Sequence, residues 1–273
     1  MGRTQSITKY IAYLLLLVAL AGGVTWYLLR PGSALSPITR PATKAAVVDD
    51  SWLSDLYSQN PRDTAKGTAK VNELGVRALP QIQATLRDPA SAHSHRRAAL
   101  RAAGILGVAA EPALPEVAAS LTDPELSADA AAALSFMGPK AFEPLRQAVN
   151  HPEVIVRRES LRSIGKLRFR APLASADVLP LLLDAMPDTD PTVRTVAATY
   201  LGILHDDAPS SVPLLTAALE DPDPAVRRAS ATALEAFGSD AAPALPALKK
   251  AAADQDQDLA REAGRAIVAI SGK

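Results

Sequence analysis

Prolines return along this chain at a near-constant interval: Pro80, Pro115, Pro144, Pro180, Pro213 and Pro246 are separated by 35, 29, 36, 33 and 33 residues. A period between about 20 and 50 residues marks stacked repeat units, each unable to bury its apolar face except against its neighbours. The prolines head short apolar runs. Leu79 to Asp88, Leu114 to Asp123 and Val212 to Asp221 share a second-position proline, apolar residues at helical spacing and a final aspartate. Proline suits a helix's first turn, where its missing N–H would have had no intrahelical acceptor. Each run is therefore expected to be a short, proline-led helix.

A longer run follows each aspartate. Asp88-Pro89, Asp123-Pro124, Asp190-Pro191 and Asp221-Pro222 precede it, and an aspartate there can accept from the free N–H groups of the next turn. Pro124 to Gly138 and Pro224 to Gly238 align with small and apolar positions in common. Alanine there favours helix and lets neighbouring backbones approach, Leu134, Phe136, Leu234 and Phe237 supply larger knobs, and glycine ends the helix. A Val-Arg pair recurs at Val156-Arg157, Val193-Arg194 and Val226-Arg227, in steps of 37 and 33 residues.

The Asp-Pro, the Val-Arg pair, the alanines, the glycine close and the second apolar helix together resemble HEAT repeats, particularly the bacterial subgroup related to phycobilisome lyase repeats. The resemblance covers roughly Asp63 to Ile270. It implies an all-α, right-handed α-solenoid of about six HEAT-like helical hairpins. Its extended concave face is expected to be lined by the proline-led helices and to hold a protein partner. The first unit lacks a clear motif for the longer helix, Ser127 stands where other units have arginine, and Ala260 to Ile270 reads as an unpaired helix closing the array.

Ahead of the repeats, Tyr10 to Leu29 is twenty residues without a charge. At about 1.5 Å per residue these reach roughly 30 Å, the thickness of a bilayer's hydrocarbon core. Tyr10 and Tyr13 lie near one end and Trp26 and Tyr27 near the other, as interfacial aromatics do. The competing reading is a cleaved signal peptide, since Ala19-Leu20-Ala21 fits a cleavage site; the apolar run past Val24 favours an anchor. Residues 1–9 are expected to be a cytoplasmic tail, 10–29 a single transmembrane signal anchor, 30–50 a Pro/Ser/Thr/Ala-rich flexible linker and 51–273 the repeat domain. Flanking basic residues nearly balance. The short tail carrying Arg3 and Lys9 places the repeats outside the cytoplasm, at the inner (cytoplasmic) membrane of a bacterium. The chain has no cysteine, which excludes disulfides and thiolate metal sites.

Charge narrows the partner. Of 29 basic and 29 acidic side chains, residues 1–50 hold five and two, leaving the repeats with 24 against 27. Nucleic-acid binding needs a net basic surface and is not expected. One basic cluster stands out: Arg157, Arg158, Arg162, Lys166, Arg168 and Arg170, interrupted by Glu159 alone among acids. Arg157 is expected to bond an acid of a neighbouring repeat. Lys166, Arg168, Phe169 and Arg170 are placed past the usual helix end, in a lengthened turn, and loops carry function more often than packed helices. The candidate partner-binding residues are thus Arg158, Arg162, Lys166, Arg168, Phe169 and Arg170, facing an acidic protein or anionic lipid headgroups.

No catalytic, cofactor or metal site is expected. Ser163-Ile164-Gly165-Lys166 matches a Ser-x-x-Lys nucleophile pattern, but so does Ser6 to Lys9, and the companion signatures are absent. His93 and His95 lack a third ligand at metal spacing, and His205-Asp206-Asp207 reads as turn chemistry. The His-Glu pairs of HEAT-like deoxyhypusine hydroxylase are missing, because His93, His95, His151 and His205 precede Ser94, Arg96, Pro152 and Asp206. The function so implied is a membrane-tethered, non-catalytic protein-binding scaffold with no small-molecule substrate. The alternative is a lyase-type or other enzyme on the same scaffold.

Overall fold

The computed structural model describes residues 51–272, and the expected tail, span and linker lie outside them. Helix α1 (Ser51–Tyr57) opens the structure. Six hairpins follow: α2 (Pro61–Leu74) with α3 (Leu79–Arg87), α4 (His93–Leu106) with α5 (Leu114–Ala119), α6 (Ser127–Leu134) with α7 (Phe142–Ala148), α8 (Val154–Arg170) with α9 (Ser175–Ala185), α10 (Pro191–Leu204) with α11 (Ala208–Ala217), and α12 (Pro224–Ala236) with α13 (Leu245–Ala251). Helix α14 (Gln257–Ser271) closes the stack. No strand occurs among the described residues, and the array is an all-helical repeat solenoid. The first, or leading, helix of each hairpin carries the Val-Arg motif where there is one; the trailing helix carries the periodic proline.

Proline and aspartate set most helix starts, though not always as the spacing implies. Pro80, Pro115 and Pro246 occupy the first turns of α3, α5 and α13, whereas Pro180 and Pro213 lie inside α9 and α11. These two helices begin earlier; that of α11 is capped by Asp207, whose side chain accepts from Ser210 N–H. Asp190 caps α10, accepting from Thr192 N–H at 2.8 Å, and Asp223 rather than Asp221 caps α12. Asp88, Asp123, Asp188 and Asp221 instead accept from the N–H two residues on. That bond closes the turn between repeats.

Helix α8 overruns its expected end, so Lys166, Arg168, Phe169 and Arg170 are helical and not in a turn. No glycine stands at its usual stop, and the fully buried Leu167 anchors the additional turn. The helix ends at Ala171, which precedes Pro172 and takes the extended backbone that proline imposes on its predecessor. Phe136 is a second departure, being 47% exposed, while Leu134, Leu234 and Phe237 are buried as expected. Helix α1, unanticipated in the sequence, buries Trp52, Leu53 and Leu56 over the first hairpins and covers their open end. By length and composition the stretch His93–Thr122 would pass as a membrane span; it is divided into α4, a 3-10 turn, α5 and a second 3-10 turn, and forms one hairpin of the stack.

Leading helices pack along much of their length on the leading helices before and after them, whereas successive trailing helices touch at few points. Small residues permit this. A Cβ on Gly202 of α10 would lie 2.5 Å from Ala233 Cα of α12, a backbone atom that moves only if the helices separate. We expect Gly202→Ala to destabilise the fold by about 1–3 kcal/mol. Gly264→Ala in α14, where nothing lies within 4 Å of the new methyl, should instead stabilise it by about 0.5–1 kcal/mol. Opposite shifts in urea midpoint check the pair, and equal shifts would contradict this packing.

An arginine–aspartate ladder links the repeats. Arg157 Nε and Nη2 donate to the Asp188 carboxylate at 2.9 Å each, and Arg194 makes the same fork to Asp221 at 2.8 Å each. Arg96–Asp123 and Arg227–Asp256 are looser, at 3.9 and 3.8 Å. Each arginine also donates to carbonyls of its own preceding turn, as Arg157 does to His151 and Pro152. At the α6–α8 junction both partners change together: Ser127 replaces the arginine, and His151, whose Nδ1 accepts from Glu153 N–H as the aspartates accept two residues on, replaces the aspartate. That junction carries no rung.

Candidate binding surface on the leading-helix layer

On α8, residues 158, 162, 166 and 169 fall on one helical face. Glu159, itself buried, accepts from Arg158 Nε at 2.8 Å and from Arg162 Nη1 at 3.0 Å through each oxygen. Lys166 is exposed and has no hydrogen bond or ion pair among the described residues. Phe169, one turn further on, is 60% exposed. Arg170 reaches back across α6: its guanidinium lies 4.0 Å from the Phe136 ring centroid, and Nη1 donates to Ser135 Oγ at 3.2 Å. Stacking of this kind is worth roughly 0.5–2 kcal/mol and holds the planar fork in place. Arg168 leaves the group. It donates to Ser175 Oγ at 3.0 Å and sits 3.8 Å from Asp206, tying α8 to the turn after α10.

The structure thus gathers five of the six candidate residues, Arg158, Arg162, Lys166, Phe169 and Arg170, and assigns Arg168 to a junction. It adds Tyr200 and Phe136. Tyr200 stands where alanine stands in neighbouring repeats, Tyr200-Leu201 aligning with Ala133-Leu134 and Ala233-Leu234. Its ring lies over Gly165, where a Cβ would come within 2.3 Å of Tyr200 Cδ1. Burial pushes the Tyr200 hydroxyl above its ordinary pKa of 10.0, while the charges of Arg162 and Arg170 pull it partly back. That pairing was visible as an anomaly of the repeat alignment, a large ring at a small-residue position.

Shallow grooves flank this ridge. One of about 530 Å³ lies between α4 and α6 and reaches Ile105 and Phe136; another of about 590 Å³ lies between α10 and α12 and reaches Ile203, which is 47% exposed. Small residues, Gly104, Ala132 and Ala133 in the first and Gly202 and Ala233 in the second, leave both open. Between α6 and α8, and between α8 and α10, Arg170 and Tyr200 fill the equivalent space.

Two histidines lie at helix ends and turns away from this ridge. His93 sits 3.4 Å from Asp123 and 3.5 Å from Glu125 of the next hairpin. His205 ends α10 in the left-handed region at φ 37°, a place glycine takes in other repeats, and meets Phe237 edge-on at a 6.3 Å centroid separation. A groove of about 760 Å³ beside it is lined by Asp206, Asp207, Pro213 and Asp240 on the trailing-helix side. Among the described residues no group of three or more His, Asp or Glu side chains converges to hold a metal ion.

Comparison with known proteins places this architecture. The family model described as HEAT repeats matches residues 112–202 and 179–268. A chain of a Kap95p–RanGDP complex superposes with a TM-score of 0.62 at 12% identity, covering 79% of this chain and 33% of that one. A designed armadillo repeat protein gives 0.49 at 18% identity over 70% of this chain and 99% of its own. A chain of the CpcE–CpcF phycocyanin lyase complex of Nostoc sp. PCC7120 gives 0.46 at 23% identity, over 57% and 98%. No match was found among curated proteins. The structural likeness is one of fold alone, and because the family model spans residues 112–268, more than half of the sequence, the chain belongs to the HEAT-repeat family.

Proposed function

We propose that this protein is a non-catalytic scaffold that binds a protein partner through the leading-helix layer around α8. In this reading residues 10–29 hold it at a bacterial cytoplasmic membrane and the repeats stand outside the cytoplasm. The observation that carries the binding face is the α8 stripe. Arg158 and Arg162 neutralise the buried Glu159 and keep donors to spare, whereas Lys166 beside them has no partner among the described residues and Phe169 is left in water. Neither Lys166 nor Phe169 serves the stack, so both point to a partner. The uncharged run from Tyr10 to Leu29 supports the tether.

A photo-crosslinking residue placed at position 169 in living cells should give a discrete protein adduct. The same residue at position 214, exposed on trailing helix α11, should not. Adducts of equal yield at both sites, or none at 169, would refute the assigned face. A compartment-dependent reporter after Lys273 reads the topology in the same cells, and a cytoplasmic signal would overturn the orientation.

A further inference from the structure

We propose that the α8 face recognises a short acidic peptide segment carrying an aromatic or large aliphatic side chain; this rests on the binding face assigned above. Four cations, Arg158, Arg162, Lys166 and Arg170, lie there against one carboxylate, Glu159, which is buried and shared by two of them. Neighbouring leading helices add no compensating charge. Helix α10 turns Thr199, Tyr200 and Ile203 toward this layer, and Asp129 of α6 is half-buried and faces Arg97 at 3.5 Å. The surface therefore holds a surplus of about three positive charges in a repeat domain that is otherwise slightly acidic.

The donors are arranged for carboxylates. Arg162 uses Nη1 on Glu159 and keeps Nε and Nη2 free, Arg170 is fixed by Phe136 and Ser135 with its remaining N–H groups unused, and Lys166 is free altogether. A planar fork held before binding loses little freedom on meeting a carboxylate. Phe169 next to Lys166, and the groove at Ile203, receive apolar side chains between the acids. From Arg158 to Phe169 the stripe runs about 16 Å at 1.5 Å per residue. An extended peptide covers that with about five residues at roughly 3.3 Å each. A nucleic acid fits less well, needing a longer basic track than three surplus charges supply.

The test uses the full-length chain in an uncharged detergent and a fluorescent octapeptide, Asp-Glu-Phe-Asp-Glu-Leu-Asp-Glu, with its Asn/Gln counterpart, phosphatidylglycerol vesicles and a single-stranded oligonucleotide as rivals. Binding by anisotropy should favour the acidic peptide at least tenfold over the amide version. Lys166→Glu should weaken it tenfold or more and Phe169→Ser severalfold. Lys249→Glu, a reversal at an exposed lysine on trailing helix α13 with no partner, should change it less than twofold. No preference for the acidic peptide, or equal losses in the two charge reversals, would overturn the proposal. Tighter binding of vesicles or oligonucleotide, lost in Lys166→Glu, would overturn the peptide class while leaving α8 as the binding face. Loss of the position-169 adduct in cells would instead sink that face itself.

Discussion

Leu234→Asp is expected to unfold the C-terminal hairpins. Leu234 is completely buried on α12, which packs between α10 and α14. Removing its side chain forfeits about 2–3 kcal/mol of apolar burial. The carboxylate that replaces it, in a fully buried place within the apolar core, either stays charged in a low-dielectric site or takes up a proton, and both cost several kcal/mol more. A total above about 5 kcal/mol rivals the whole stability of an ordinary domain. Repeats are held by nearest-neighbour interfaces, so the damage should be regional. Thermal melting followed at 222 nm should split or shift strongly downward, and limited proteolysis should clip residues after about 205 before those ahead of α8. An unchanged melt would show that Leu234 does not occupy the register described.

Arg194→Ala comes next in size, at about 3 kcal/mol. The side chains of Arg194 and Asp221 are only 13% and 10% exposed, and removing the arginine strands a largely dehydrated carboxylate. It also frees the carbonyls of Asp188 and Thr189, to which Arg194 Nη1 donates at 2.8 and 3.2 Å. The same pair gives the effect a pH signature. Burial pushes the Asp221 carboxyl up, but the Arg194 fork, the Asp223 N–H and the Arg194 and Arg227 charges outweigh it and hold the pKa below the ordinary 3.8. Asp188 behaves alike, with Arg157 as its fork. A folded-state pKa below the unfolded one means that the stabilisation is complete above the unfolded value and is lost as pH falls through the folded one. Urea unfolding should therefore show the full gap between wild type and Arg194→Ala at neutral pH and a shrinking gap toward about pH 2. A gap that stays constant would remove the ladder from the account of stability.

Ser127 was legible as a departure from the repeat, but its meaning came from His151, which stands in place of the aspartate of the same rung. The α6–α8 junction is held instead by buried Leu134 and Leu161 and by Arg170 lying on Phe136. An exposed aromatic that looked like a core knob is thus the platform for a guanidinium. The repeat register separates the two roles: buried Met137 takes the place of Phe237, while Phe136 stands where Ala236 stands, one position round the helix and open to the side chain that the next helix lays over it.

The amino-acid sequence by itself determined the repeat period, the two helices per unit, the buried leucines at matching positions and the unpaired closing helix. Those properties are local, resting on proline at a first turn, apolar residues at helical spacing and small residues at close approaches, and they recur in every unit. It also marked α8 as the basic helix. Tertiary structure decided the rest: that α8 runs on to Arg170, that Arg168 turns to a junction while Lys166 faces water, that Tyr200 enters the space over Gly165, and that leading helices are the closely packed layer. Each of these depends on partners some 30 residues away in sequence, such as Arg157 with Asp188 or Arg170 with Ser135. A periodic pattern shows which face of a helix is buried, and only the spacing and rotation of the next helix fix which side chains meet across it.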